Sequence, residues 1–170
     1  MGVWSVVGDT AALLSSCDQF DAVAVAIGNN TIRLAKIQAL QAARIELETL
    51  VHPTAVVSAS ACLGAGTVVM AGVVVNVDAQ VGQGAILNTS CSVDHDCVLA
   101  DAVHISPGAH LAGDVHVGDR SWIGIGASVR QGVHIGSGVI VGAGAAVVSD
   151  VGDGLTVVGV PARPLSRCRE

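Results

Sequence analysis

Aromatic residues are almost missing from this chain: 170 residues hold no Tyr, one Phe and two Trp. That excludes a core of interlocked rings, so the interior must be built from small and branched aliphatic side chains. Basic residues are sparse as well. Eight Lys and Arg against fourteen Asp and Glu leave a formal charge of -6, which excludes the clustered cations of a nucleic-acid footprint. Long hydrophobic runs are lacking: Val73 to Val75 and Ala22 to Ile27 fall far short of the roughly 20 residues that cross a bilayer. The start of the chain has no basic stretch leading into an apolar run, so no secretory signal is expected and the expected compartment is the cytoplasm. Cys17, Cys62, Cys91, Cys97 and Cys168 show neither zinc-ligand spacing nor the density of a disulfide scaffold, and they read as reduced thiols. No G-x-G-x-x-G segment occurs.

What the chain does have is aliphatic residues and glycine, arranged with a period of six. From position 51 every sixth residue is aliphatic, from Val51, Val57 and Leu63 through Leu87, Val93, Leu99 and Ile105 to Ile135, Val141 and Val147. Two residues before most of these sits a small one, such as Ala55, Ala61, Thr67, Ala85, Cys91, Cys97, Ala109, Ser121, Ala127 and Ala145. Helical faces repeat at three and four, and a plain strand at two. A period of six with large and small residues at fixed places requires one short strand and one turn per hexapeptide. Glycines after the aliphatic position, at Gly64, Gly82, Gly118, Gly124, Gly136 and Gly142, are expected where a tight corner needs a residue without Cβ. Three hexapeptides per coil bury both columns in a triangular prism, with coils stacked about 4.8 Å apart. Seventeen aliphatic positions make five to six coils, above the usual minimum of about three repeats. The pattern leaves the hand of the winding open, and the general preference for parallel crossovers is right-handed.

Residues 1–50 differ in kind. Val23, Val25 and Ile27 alternate as a buried strand, Gly28, Asn29 and Asn30 break it, and 31–43 carry apolar residues on a helical period. Ile45, Leu47 and Thr49 alternate again, so a partial β-α-β unit is expected over 1–50, a β-helix over 51–158, and a solvated tail over 159–170 containing Arg163, Arg167 and Arg169.

Several segments carry a family resemblance: Ala26-Ile27-Gly28-Asn29-Asn30 with Arg33, His52-Pro53-Thr54-Ala55, Leu87-Asn88-Thr89, Val93-Asp94-His95-Asp96-Cys97, His104 to Gly113, and Gly159-Val160-Pro161-Ala162-Arg163. Together they resemble the sialic-acid O-acetyltransferase and UDP-4-amino-sugar N-acetyltransferase branch of the hexapeptide-repeat acyltransferases. The resemblance implies a left-handed parallel β-helix preceded by a partial α/β nucleotide-binding-like domain. It also implies a homotrimer with sites between subunits, acetyl-CoA as co-substrate, no metal, and a sugar amine or hydroxyl as acceptor. His95 is the implied base and Asp96 its partner. His104, Gly113, Ile125 and Ala143 are implied to bind acetyl-CoA, with the Gly113 amide serving the oxyanion, and Gly28, Asn29 and Asn88 to bind the sugar substrate. Members of this family usually begin with a strand and a glycine-rich loop that hold the nucleotide, and this chain is expected to begin after them.

The residues themselves fit that chemistry. Acetyl transfer from a thioester needs a base for the nucleophile's proton and donors for the oxyanion. His95 falls two residues past the inward Val93, at a corner of the prism, between Asp94 and Asp96; a carboxylate beside an imidazole fixes its tautomer and raises its basicity. A solvated polar turn is the plain alternative for these three residues. His104, His110, His116 and His134 each precede an inward aliphatic residue and are expected on the outer surface. His95 and His104 are half a coil apart, so one prism cannot bring them together, and a shared site needs two subunits. Two other functions remain open. A γ-carbonic-anhydrase-like metal site would use the stacked positions His116 and His134 but lacks the third histidine at that family's spacing. A non-catalytic scaffold would bind no acetyl-CoA.

Overall fold

The six-residue period folds into strands of two residues joined by turns, from Leu50–Val51 to Ala146–Val147, in a computed structural model that describes residues 5–165. Each strand pairs in parallel with the one eighteen residues on: Leu50 with Val68, Val68 with Ile86, Ile86 with His104, His104 with Trp122, and Trp122 with Ile140. Three sheets of eight, six and five strands result. They form the walls of a parallel β-solenoid of about six coils. The first wall carries Ile86–Leu87, His104–Ile105, Trp122–Ile123 and Ile140–Val141; the second carries Ser92–Val93, His110–Leu111 and Ser128–Val129; the third carries Val98–Leu99, His116–Val117 and His134–Ile135.

Both sequence columns point inward. Leu87, Val93, Leu99, Ile105 and Ile123 are buried, as are Ala85, Cys97, Val103 and Ala109, in one continuous core. Each large aliphatic side chain so buried contributes about 1.5–3 kcal/mol. At three positions of the small column the side chain donates to the carbonyl fifteen residues on: Thr67 Oγ1 to Gly82 at 3.0 Å, Cys97 Sγ to Ala112 at 3.2 Å and Ser121 Oγ to Gly136 at 2.6 Å.

The glycines after the aliphatic column serve a purpose different from the expected one. Gly64, Gly82 and Gly118 do not have positive φ; a Cβ on any of them would lie 2.5–2.8 Å from the backbone of the next coil. Close stacking of coils excludes the side chain there. The left-handed residue of each turn comes two positions later, at every sixth residue from 66 to 144. Glycine fills many of these places; Asp78, Ser90, Asp96 and Asp114 are short polar residues that tolerate this region, and Ala102 and Arg120 adopt it as well.

The first fifty residues depart from the expected β-α-β unit. Helix α1 (Thr10–Ser15) and helix α2 (Asn30–Ala42) form, whereas the two expected strands shrink to a single parallel bridge, Val23 with Leu47. An α/β nucleotide-binding domain is therefore not shown. Two strands with no third to extend them gain too little pairing to persist. Val25, Ile37, Leu40 and Leu47 form a small core of their own. Arg33 fastens α2 to the solenoid: its buried guanidinium donates to the carbonyls of Ile27, Gly28, Gly84 and Ala102 and to Asn30 Oδ1, at 2.7–3.0 Å.

At the other end, Thr156–Val158 joins the first wall and Arg163–Pro164 pairs antiparallel with it. Arg163, expected in a solvated tail, is thus in a strand; Arg167, Cys168 and Arg169 lie outside the described residues. Among the described residues no helix is long and apolar enough to cross a membrane.

Candidate active site

His95 stands at the corner after the second wall, held by the solenoid's own ladder. Its carbonyl accepts from Asp114 N at 2.9 Å, and the next residue's amide, Asp96 N, donates to Val77 at 3.1 Å. Its own amide donates to Asp94 Oδ1 at 2.9 Å, an oxygen that also accepts from Asn76 Nδ2. Asp96 occupies the left-handed turn position with φ 59°, and its carboxylate lies 2.8 Å from His95 Nδ1. A carboxylate at Nδ1 accepts the proton there, leaving the Nε2 lone pair free as a base. The bond to Asp96 raises the imidazole's pKa above its ordinary value, and the charges of Asp94, Asp96 and Asp114 add to the effect against partial desolvation. Both side chains are more than half exposed.

Gly113 lies one coil above His95. A Cβ built on it would overlap Cε1 and Nε2 of the imidazole, so the absent side chain is what lets the ring lie against this backbone. Among the described residues the Gly113 amide makes no intramolecular hydrogen bond. A base and a free N–H therefore sit together at one corner, the pair that acyl transfer needs.

The remaining predicted residues gather elsewhere. Asn88, His104, Ile125 and Ala143 line a groove of about 540 Å³ on the first wall, together with Ser106, Pro107, Trp122 and Ile140. His104 faces outward as its phase requires, but it is not the surface residue expected: it is 9% exposed. Its ring stacks on Trp122 at 5.1 Å, and Nε2 is 3.3 Å from Asn88 Nδ2. Asn88 Oδ1 accepts from Thr89 N at 2.8 Å, which turns the amide's NH₂ toward His104. Desolvation, aided by the Arg33 charge, lowers the His104 pKa to about 4, so the ring is neutral near pH 7. The groove is mostly apolar, with few polar groups, as a site for a long flexible ligand would be.

Gly28 and Asn29 sit at the start of α2. Asn29 caps the helix, its Oδ1 accepting from Ile32 N at 3.0 Å, and the Gly28 carbonyl accepts from Arg33. Through Arg33 they connect to Ala102, two residues before His104. The structure thus unites His95, Asp96 and Gly113, and separately Asn88, His104, Ile125 and Ala143. Within one chain the first group lies at the corner after the second wall and the second along the first wall.

A family model described as bacterial transferase hexapeptide (six repeats) matches residues 114–148. The acetyltransferase domain of PglB from Neisseria gonorrhoeae, solved in complex with acetyl coenzyme A, is 47% identical with a TM-score of 0.94, over 97% of this chain and 80% of that one. PerB from Caulobacter crescentus, solved with CoA and GDP-perosamine, is 45% identical with a TM-score of 0.92, over 95% and 78%. The chain belongs to the hexapeptide-repeat sugar N-acetyltransferases. UDP-N-acetylbacillosamine N-acetyltransferase from Bacillus subtilis is 45% identical over 47 residues, a stretch that spans 28% of this chain and 22% of that enzyme.

Trp122 and Ser106 escaped the sequence reading, although the signal was present. Trp122 lies one coil above His104 in the same outward phase, and its Nε1 donates to Ser106 Oγ at 2.6 Å. His116 and His134 do stack, at 4.4 Å and 4°. Parallel rings direct their lone pairs side by side, and among the described residues no three His, Cys, Asp or Glu gather as metal ligands.

Proposed function

We propose that this chain transfers the acetyl group of acetyl-CoA to the amine of a nucleotide-linked amino sugar, with His95 as base. The observation that carries the reading is the pairing of His95 Nδ1 with Asp96 beside the unoccupied Gly113 amide. In the forward step the sugar amine attacks the thioester carbonyl and His95 Nε2 removes its proton. The oxyanion is met by the Gly113 N–H, and the thiolate of CoA leaves as the tetrahedral intermediate collapses. The acetyl-CoA arm lies along the groove of His104, Trp122, Ile125 and Ala143, with Asn88 toward the sugar and Gly28 and Asn29 toward its nucleotide. The amino-sugar acceptor is supported by the GDP-perosamine bound in the structure of PerB.

Because His95 lies at the corner after the second wall and His104 on the first wall, the complete site joins two subunits in the assembly we propose, a homotrimer with three such sites. Its solenoid winds left-handed, as the family resemblance implies. Residues 51–158 are the acyl-transfer domain and 1–50 the acceptor-side segment. The reaction takes place in the cytoplasm as a step toward surface glycans. Incubation with acetyl-CoA and a panel of UDP- and GDP-linked amino sugars tests the reading by mass spectrometry of the product. A gain of one acetyl group that survives hydroxylamine is expected. A hydroxylamine-labile product would assign the acceptor as a hydroxyl, and no product with any acceptor would contradict the assignment.

A further inference from the structure

We infer that Cys97 is a positioning residue for the oxyanion donor, acting through the Ala112–Gly113 peptide; this rests on the reading of Gly113 given above. Cys97 belongs to the inward small column and is fully buried. Its thiol donates to the Ala112 carbonyl at 3.2 Å. That carbonyl and the Gly113 N–H belong to one planar trans peptide, so they point in opposite directions. With the carbonyl drawn into the prism toward Cys97, the N–H is aimed outward at the corner where His95 lies. Two further facts keep the device in place. Burial raises the thiol's pKa, so the sulfur retains the proton it donates. The flanking amides are also tied, Ala112 N to Val129 at 3.1 Å and Asp114 N to His95 at 2.9 Å, which leaves rotation of the one peptide between them as the remaining freedom.

The same contact occurs away from the site, from Thr67 to Gly82 and from Ser121 to Gly136. A hydroxyl therefore serves the same geometry as the thiol, and Thr67 offers a control that shares the structural role without the catalytic one. Cys97 follows Asp96 directly, so one short segment supplies the base, the group that orients it and the group that orients the oxyanion donor.

The test compares Cys97→Ala, Cys97→Ser and Thr67→Val by steady-state kinetics and by the NMR resonance of the Gly113 amide. Cys97→Ala is expected to lower kcat about fivefold, the rate equivalent of one modest hydrogen bond, with KM for acetyl-CoA within twofold. It should also shift the Gly113 amide resonance. Cys97→Ser should restore both, and Thr67→Val should leave kcat within twofold. Unchanged kcat and amide resonance in Cys97→Ala would overturn the inference, as would equal loss in Thr67→Val or no recovery in Cys97→Ser. Activity that survives in His95→Ala would instead count against the reading of the site, and the amide resonance reports on Cys97 whichever acceptor is used.

Discussion

At the scale of single residues, the two candidate-site histidines are driven in opposite directions by their surroundings. His95 is exposed and bonded to a carboxylate, which favours its protonated form and raises its pKa. As the proposed base His95 acts only when neutral, so the acid limb of the kcat/KM profile should lie above the ordinary histidine value. Asp96→Asn should move that limb to lower pH and reduce kcat about tenfold or more through the lost orientation; a pH-rate profile of both proteins checks this. His104 is buried with a pKa near 4, below its value in the unfolded chain. The unfolded state then binds more protons between about pH 6.5 and 4, so stability is complete above that window and falls as pH drops through it, by on the order of 3 kcal/mol. Urea unfolding at stepped pH should show the loss, and His104→Asn should remove its part of it. The phase of His104 was readable from the six-residue period, whereas its burial was not. Its neighbours are brought by stacking, Trp122 from the next coil at 5.1 Å and Asn88 from the one before at 3.3 Å.

Among elements, the coil is the unit, and its corners hold the distinction that periodicity alone did not reveal. Sequence showed glycine recurring after the aliphatic residue; it did not show whether φ or coil stacking required it. Gly118 and Gly126 separate the two causes. A Cβ on Gly118 would lie 2.6 Å from Ser137 N, while Gly126 has φ 64° and open space around it. Gly126→Ala should cost about 1–2 kcal/mol for the left-handed conformation, and Gly118→Ala more, because backbone must move. Chemical denaturation of both variants measures the order. The α/β expectation for the first fifty residues is not shown, for a related reason. Alternation at Val23, Val25 and Ile27 reports a half-buried segment, but a strand also needs partners along its edge, and Leu47 provides one bridge alone. Helix α2 was legible because its capping Asn29 and apolar spacing are local signals.

For the whole molecule, the proposed site joins His95 of one chain to His104 of a neighbouring chain. Mixing subunits carrying His95→Ala with subunits carrying His104→Ala should regenerate activity above either parent, since some interfaces then pair an intact His95 with an intact His104. Light scattering should give the mass of three chains. The candidate site was legible in sequence where it lies within one hexapeptide, as with Asp94-His95-Asp96. It was less so where stacking assembles it, as with Trp122 over His104. The measurement that tests the central claim most directly is thiol release from acetyl-CoA with a nucleotide-linked amino sugar, comparing the chain with its His95→Ala variant. Release that depends on the acceptor and falls at least about a hundredfold in the variant is the predicted result. Equal release by the two proteins would contradict it.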